Sequence, residues 1–416
     1  MISANALADR ANAIEWYLSY PSAFSAGKTN AYRLLWERLC DDLGPLTGLT
    51  HTLSLTDDSR GLQTEAVAFA KYFGNYLQNV NLVHTACMDI GGGTTDISIW
   101  QDNECIHQVS VKFAGRDICT DILRFKPSII RLLFGTMVTS QDSDGDGALR
   151  KNPNFNSWLD NIFRNSGKEL HETLRLGRKK GGVDGQTLTK LASLMAVGFG
   201  GLYYYVGIIL RSLAQDGTLT SKSTMPVLIG GNGARFLDWV DSECKFNRRS
   251  ESNALFEQLQ IIGSGFFESP KGVALTTVSE NFKDETAYGL ISPGRNIIHD
   301  PNLEDSLIAG EAITIGNKNF GPLDRISLGD LKANVGKEYQ LGAGLTQLRA
   351  FVESYDAILI NMESLLPIKE LESNETLLWN QVERIIRDEC SERAKISDAK
   401  NIEPEPPFVT ALRSRV

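Results

Sequence analysis

The sequence predicts an α/β protein, and three features of the chain lead to that prediction. Residues 84–88 lead into consecutive glycines and then into the alternating residues 97–100, a pattern of strand, glycine turn and strand that is typical of a β-hairpin. Residues 225–229 form a second apolar run that ends in a glycine turn before a helical pattern, as a buried parallel strand does. Apolar residues at helical spacing occur between such runs.

Length and composition indicate the class of protein. A chain of 416 residues can form two or three domains, and 42% hydrophobic with 22% charged residues is typical of an ordinary soluble protein. The net charge of -9, with no basic run interleaved with aromatics, argues against a nucleic-acid partner. The cysteines lack metal-site spacing, and the start of the chain lacks the order of a secretion signal. We therefore predict a cytoplasmic protein with reduced thiols.

Residues 191–210 contain no charged side chain and are about as long as a membrane crossing requires. Glycines interrupt this segment, and a core strand follows it closely. A helix buried on all sides within a large α/β protein has the same pattern. We therefore expect a buried core helix and no membrane span.

Periodicity and turn residues predict the other elements. The predicted segments are a strand at 16–20, helices at 30–43 and 64–80, helical residues at 234–240, a hairpin from 312–315 with its turn at Gly316 and Asn317, helices at 345–359 and 378–386, and an extended stretch around the prolines of 404–407.

The acidic loop at 141–150 matches the first half of a calcium-binding loop. The match then fails, because Pro153 stands at the twelfth position, where a bidentate Glu is needed. A solvated acidic loop is the better interpretation.

A glycine hairpin at 89–96, with the sequence DIGGGTTD, carries the most specific chemistry in the chain. A turn without side chains lets backbone N–H groups approach phosphates, and a leading carboxylate can face a metal ion. The segment resembles the second phosphate motif of the actin and heat-shock ATPase superfamily. A plain β-hairpin is the alternative, although it does not need three glycines before Thr-Thr-Asp. The resemblance implies that Asp89 holds hydrated Mg²⁺, that Gly91, Gly92 and Gly93 supply amides, and that Thr94 and Thr95 add hydroxyl contacts.

Two later segments extend the resemblance. Residues 114–123 are similar to the stretch that follows this hairpin in the bacterial cell-division member, with Gly115 retained and Ala114 in place of the first glycine. Residues 227–236 are similar to the adenosine motif, although any doubly wound sheet can contain such a strand–helix turn. The residues that the resemblance places at the nucleoside are Gly230, Gly231, Asn232, Gly233 and Arg235.

Two segments resemble the helices that connect the lobes of this superfamily, residues 64–70 and 284–290. Small residues there would let the helices cross. Glu65 matches the position where the heat-shock branch has a carboxylate near the attacking water, so it could orient or deprotonate that water. It could equally be a charge in the first turn of a helix, and Ala66 replaces the proline of the family.

The resemblance covers about residues 14–290 and implies a two-lobed, actin-like (ribonuclease-H-like) ATPase fold. Complete members have an earlier phosphate hairpin near their start, and this sequence contains none, so we expect an incomplete first lobe through truncation. The expected parts are the remainder of the first lobe at 1–84, a second lobe at 85–290, and a C-terminal extension of a hairpin and helices at 291–416.

The implied function is an Mg-ATP-binding switch that uses ATP/ADP and Mg²⁺ and acts on a protein partner or on itself. An incomplete sheet leaves an unpaired edge, which favours association. The alternatives are a filament-forming bacterial actin relative and an inactive nucleotide-binding or interaction module, while a sugar kinase ranks last. Hydrolysis by this chain alone is expected to be weak.

The site implies a specific geometry and two mutational effects. We expect the two glycine turns to face each other across a shared cleft. Asp89→Ala should abolish Mg-dependent nucleotide binding and leave the fold intact, since the turn should face solvent. A β-branched residue at Gly231 should block adenosine through steric contact alone.

Overall fold

Strands and helices occur together throughout the structure, which confirms the predicted α/β class. The structure is a computed structural model and describes residues 5–6, 9–22, 24, 26–54, 62–76, 82–125, 127–134, 154–266, 276–282, 284–292, 306–337, 339–342, 344–360, 362, 364–371, 375–394 and 405–415. The strands are β1 Ala13–Trp16, β2 Leu18–Tyr20, β3 Thr50–Leu53, β4 Leu62–Thr64, β5 His84–Ile90, β6 Thr95–Gln101, β7 Glu104–Val111, β8 Val227–Gly230, β9 Thr276–Val278, β10 Ser306–Ile308, β11 Ile313–Ile315, β12 Lys318–Phe320, β13 Arg325–Ser327 and β14 Tyr339–Leu341.

The helices divide into short connecting turns and long packing elements. The α-helices are α1 Ala26–Thr47, α2 Glu65–Lys71, α3 Asp121–Phe125, α4 Pro127–Phe134, α5 Phe155–Lys180, α6 Gly182–Gln215, α7 Leu237–Val240, α8 Glu251–Ser264, α9 Glu285–Ile291, α10 Leu328–Ala333, α11 Thr346–Leu359, α12 Ile368–Leu371, α13 Glu375–Ala394 and α14 Pro407–Arg415. Single turns of π-helix or 3₁₀-helix cover Tyr72–Tyr76, Arg116–Thr120 and Asn232–Phe236.

The largest sheet in the described chain has five strands in the order β7–β6–β5–β8–β9. Strands β5, β8 and β9 run parallel, whereas β6 and β7 are antiparallel to their neighbours. From β5 the chain proceeds to β6 and β7 on one side, and it returns as β8 on the other side. The carboxyl ends of β5 and β8 therefore meet where the direction of winding changes, which is the position where open α/β sheets commonly bind ligands.

Helix α6 is the predicted apolar helix, and it lies in the core. Among the described residues it is the one helix long and apolar enough to cross a membrane, but 94% of its most apolar window is buried inside the protein. Helix α8 crosses it closely, since a Cβ at Gly207 would lie 2.4 Å from the carbonyl oxygen of Gln260. A Cβ at Gly263 would likewise lie 2.4 Å from the Tyr204 oxygen. The glycines that interrupt the apolar run thus allow this helix crossing.

The C-terminal part contains the predicted hairpin, β11 with β12, and the two predicted helices, α11 and α13. The extended conformation predicted for the last prolines is wrong over Pro407–Arg415, which form α14. Proline is well placed in the first turn of a helix, and the residues after it present an apolar face. Phe408 stacks on Tyr205 of α6 at 5.9 Å, and Leu412 packs against Gly201. The C-terminal helix therefore belongs to the same hydrophobic core as the main sheet.

The first part of the chain forms two small parallel pairs, β1 with β3 and β2 with β4. The strand predicted at 16–20 is divided between β1 and β2, and α1 is longer than the predicted 30–43. The helix predicted at 64–80 is α2 followed by a π-helical turn to Tyr76, and its last four residues lie outside the described residues. The acidic loop at 141–150 also lies outside them.

Candidate functional site

The hairpin between β5 and β6 ends in a tight turn with Gly92 and Gly93 at its exposed tip. The Gly91 N–H donates to the Thr94 oxygen at 2.9 Å and closes the turn. No described group accepts a hydrogen bond from the amide of Gly92 or Gly93. Two backbone donors are therefore accessible at the tip, as in the anion-binding turns of other proteins.

Backbone strain does not explain the glycines at the tip of the hairpin. Neither Gly92 nor Gly93 adopts a left-handed φ. Among the described residues, a Cβ at either position would meet only the Arg116 guanidinium, at 3.9 Å and 3.6 Å, which is ordinary contact distance. The packing of the described residues therefore does not require glycine at either position.

The two threonines of the motif differ in their surroundings. Thr94 is half-buried beside the turn, whereas Thr95 is fully buried. The Thr95 hydroxyl donates to the Phe113 oxygen at 2.7 Å. The Thr95 hydroxyl therefore already donates to the protein backbone, and it holds the segment that follows β7 in place.

The second glycine turn follows β8 and packs directly against the first. Strand register places Gly230 beside Asp89. Gly231 has φ +80°, and a Cβ there would lie 2.2 Å from the Asp89 Oδ1 atom. A Cβ at Gly233 would lie 2.6 Å from the Gly91 oxygen. The turns therefore lie side by side at one edge of the sheet, and the expectation that a cleft separates them is wrong.

Gly115 packs between the two glycine turns. Its N–H donates to the Gly91 oxygen at 3.2 Å, and a Cβ there would lie 3.0 Å from the Cα of Gly233. The neighbouring Arg116 N–H donates to the Gly92 oxygen at 3.0 Å. Three segments distant in sequence thus meet through backbone contacts that larger residues would prevent.

Two polar side chains of the second turn remain exposed, Asn232 and Arg235. The Arg235 guanidinium lies over the ring of Phe282, 5.3 Å from its centre. This contact holds a planar, charged group at the edge of the turn.

Four carboxylates surround the base of the hairpin: Asp89, Asp96, Glu65 and Glu285. Burial raises the pKa of Asp89 well above its usual value, and repulsion from the other three carboxylates raises it further. Burial and then the charge of Glu65 raise the pKa of Asp96 to about 7. One oxygen of Asp96, which is 3% exposed, has no hydrogen-bond partner among the described residues. Burial also raises the pKa of Glu65.

This charge arrangement suits a hydrated cation. Carboxylates that share a partly buried space hold protons unless a positive charge enters. No three of the described His, Cys, Asp or Glu side chains are close enough to form a metal centre by themselves. An ion there would keep water ligands, which is the preference of Mg²⁺. Asp89 stands nearest the turn and fits that ion.

Other groups connect Asp89 and the second turn to helix α9. The Gly231 N–H donates to the Glu285 Oε1 atom at 3.2 Å, and the Thr286 hydroxyl lies 3.5 Å from the Asp89 Oδ2 atom. Glu285 and Thr286 were not predicted individually as site residues, although both lie within residues 284–290, the segment that resembles the second connecting helix.

Helices α2 and α9 cross at Ala68 and Gly289. A Cβ at Gly289 would lie 1.7 Å from the Ala68 oxygen, so the crossing requires glycine. Thr64 caps α2 by accepting from the Val67 N–H at 3.3 Å, and this cap places Glu65 in the first turn, facing the carboxylates. The two predicted connecting helices therefore bring one carboxylate each, Glu65 and Glu285, to the same place.

Comparisons with known proteins add little. No protein-family model and no curated protein matches the chain. It is similar to a solved structure titled ethanolamine utilization protein EutJ from Carboxydothermus hydrogenoformans, with 13% identity and a TM-score of 0.23, over 60% of this chain and 58% of that one. The chain thus spans less than two thirds of that protein, and a TM-score of this size does not establish a shared fold.

Proposed function

We propose that this chain binds Mg-ATP and Mg-ADP at the carboxyl edge of its main sheet and acts as a nucleotide-driven conformational switch of the actin and heat-shock type. The observation that supports this most is the meeting of β5 and β8 at the point where the winding changes, with two accessible amides beside a carboxylate. Phosphates favour exposed backbone N–H groups at such sheet edges.

Each group in the site has a role in this proposal. The amides of Gly92 and Gly93 donate to phosphate oxygens, and Thr94 borders them. Asp89 holds Mg²⁺ through water, and the ion neutralises phosphate charge when bound. The raised pKa of Asp89 accords with this role, because burial and the neighbouring carboxylates disfavour its charged form and a cation would favour it.

Asn232 and Arg235 are the side chains proposed to contact the nucleoside, since both are exposed at the second turn. Gly230, Gly231 and Gly233 act in a different way. They let the second turn approach the first closely, and Gly115 completes the contact.

The switch is proposed to act through the crossing helices and the C-terminal segment. Helices α2 and α9 carry Glu65 and Glu285 to the site, so a change in charge there would alter the crossing at Gly289. Residues 405–415 of the C-terminal segment hold the loop between β7 and Gly115. The Lys112 N–H donates to the Glu405 carboxylate at 3.0 Å, and the Arg413 guanidinium donates to the Lys112 oxygen at 3.0 Å.

Glu65 is the proposed group that orients or deprotonates an attacking water. Burial raises its pKa, and a carboxylate with a higher pKa is a stronger proton acceptor. Hydrolysis is a separate question from binding, and the proposal requires only that ATP and ADP bind differently.

A filament-forming or self-associating protein is the second candidate, and the surface of α1 favours it. Leu35 is 62% exposed and Leu46 is 80% exposed on this helix. Strands β1 and β3 form only a two-stranded sheet, and such a pair is marginal without further support. A second copy of the chain would cover these leucines. Electron microscopy with Mg-ATP separates the candidates, because filaments are expected only under the second.

The test of the leading proposal is isothermal titration calorimetry with Mg-ATP, Mg-ADP and AMP. The parent chain should bind Mg-ATP, and chelation of Mg²⁺ should weaken this binding. Asp89→Ala should remove the Mg²⁺ dependence, while the matched control Asp184→Ala, an exposed change in the first turn of α6, should leave it. Absence of heat with every nucleotide, or equal affinity of Asp89→Ala and the parent, would contradict the proposal.

A further inference from the structure

Arg116 lies beside the hairpin turn, and its guanidinium has no close carboxylate partner among the described residues. The side chain is exposed, and none of its nitrogens lies within 4.0 Å of an acidic oxygen among the described residues. Burial raises the pKa of Asp121, and the charges of Arg124 and then of Arg116 lower it. Arginines without close acidic partners are available to an anionic ligand.

The backbone fixes where this guanidinium lies. The Arg116 N–H donates to the Gly92 oxygen, which anchors the residue to the turn. The Arg116 Nε atom is 3.9 Å from the position that a Cβ of Gly92 would occupy, and an Nη atom is 3.6 Å from that of Gly93. The guanidinium therefore lies along the side of the turn from which side chains would project, close to the two accessible amides.

A cation beside the turn would offset part of the negative charge that a bound nucleotide adds to the site. Four carboxylates lie around the base of the hairpin, and a di- or triphosphate brings further negative charge. One hydrated Mg²⁺ on Asp89 offsets only two of those charges. A guanidinium can bind phosphate oxygens in a bidentate manner, which a point charge cannot.

We infer that Arg116 binds the terminal phosphates of the nucleotide and sets the preference of the site for di- and triphosphates over monophosphates. This inference depends on the proposed nucleotide function. Arg235 lies at the other glycine turn, where its guanidinium packs over the ring of Phe282. The two arginines thus contact different parts of the nucleotide, Arg116 the phosphates and Arg235 the nucleoside.

The experiment compares three ligands, Mg-ATP, AMP and inorganic tripolyphosphate, on four proteins: the parent, Arg116→Ala, Arg116→Lys and the matched arginine control Arg235→Ala. Arg116→Ala should weaken Mg-ATP and tripolyphosphate by about 10- to 100-fold and change AMP by less than about twofold, as expected for loss of a charged hydrogen bond. Arg116→Lys should restore part of the loss. Arg235→Ala should weaken AMP and Mg-ATP by a similar factor and leave tripolyphosphate unchanged.

The outcomes separate this inference from the proposed function. If the parent binds none of the ligands, the proposed function fails and this inference fails with it. If the parent binds Mg-ATP but Arg116→Ala keeps the parent ratio of Mg-ATP to AMP affinity, Arg116 does not read the phosphates and only this inference fails. Thermal unfolding of each variant shows whether a uniform loss reflects a damaged fold, and an intact fold with uniform loss also overturns the inference.

Discussion

The two glycine turns at the carboxyl edge of the sheet have similar sequences but use their glycines differently. At the hairpin tip, Gly92 and Gly93 are exposed and leave open space where a side chain could stand. At the second turn, Gly231 and Gly233 are buried, and added Cβ atoms would overlap the hairpin backbone. A glycine-rich motif can therefore combine positions that serve a ligand with positions that serve packing, and substitutions should distinguish them.

The largest effect on stability is expected from Gly231→Ala. Its φ of +80° and ψ of 164° fall in a region that only glycine adopts freely, and the Cβ would lie 2.5 Å from the Ile90 oxygen. We expect a loss of roughly 4 kcal/mol or more in the free energy of unfolding, measured by denaturant titration. The nucleotide-blocking effect expected at Gly231 from sequence is thus corrected, since a larger residue would disrupt the fold first.

Gly217→Ala is the matched control for that prediction. Gly217 has the same φ of +80°, but nothing lies within 4 Å of an added Cβ. Backbone strain alone should cost this variant about 1 kcal/mol. Equal losses at Gly217 and Gly231 would show that the contact between the two turns contributes nothing to stability.

The second prediction concerns the pH dependence of stability, which arises from the buried carboxyl groups at the base of the hairpin. Asp96 stands opposite Asp89 in the strand register and has a pKa raised to about 7 in the folded protein. A raised acid pKa means that the folded state holds its proton longer than the unfolded state. Stability should therefore fall as the pH rises from about 4 to about 7 and level off above that range.

Asp96→Asn should reduce this pH dependence, and the slope that remains should come from Asp89 and Glu65, whose pKa values are also raised. At pH 8 the variant should be more stable than the parent by on the order of 2–4 kcal/mol, and near pH 4 the two should be alike. Urea titrations at several pH values measure the difference. An identical pH slope in both proteins would mean that Asp96 is not the group that holds the proton.

Much of the fold could be predicted from local patterns. The hairpin of β5 and β6, the buried helix α6 and the helix α11 all have strong periodicity or turn residues, and each is present in the structure. Helix α14 was predicted as an extended stretch because of the prolines at and before its start. Its apolar residues instead pack against Tyr205 and Gly201 of α6, and this packing stabilises the helix. Packing between residues so distant in sequence cannot be predicted from the pattern of a short segment.

The residues predicted for the site lie close together in the structure, but their arrangement differs from the one expected. Asp89 was expected on a solvent-facing turn, yet it lies within β5, one residue before its end, and is half-buried among carboxylates. Strand pairing decides this, because the register of β5 with β6 and β8 brings Asp96 and Gly230 beside it. Arg116 was missed for a related reason. Its relation to the hairpin depends on backbone contacts that sequence does not display.

The smallest effect on stability, and the sharpest contrast with Gly231, is expected from Gly92→Ala and Gly93→Ala. The added methyl group meets only the guanidinium of Arg116 at ordinary contact distance, so the free energy of unfolding should change by less than about 0.5 kcal/mol. Restriction of the unfolded chain could even raise stability slightly. Mg-ATP affinity should nevertheless fall at least about tenfold, because the methyl group stands beside the amides that are proposed to hold the phosphates. Paired measurements of melting temperature and calorimetric affinity decide the matter. A large drop in melting temperature would make these glycines part of the packing, like Gly231, and unchanged affinity with an intact fold would remove the hairpin tip from the site.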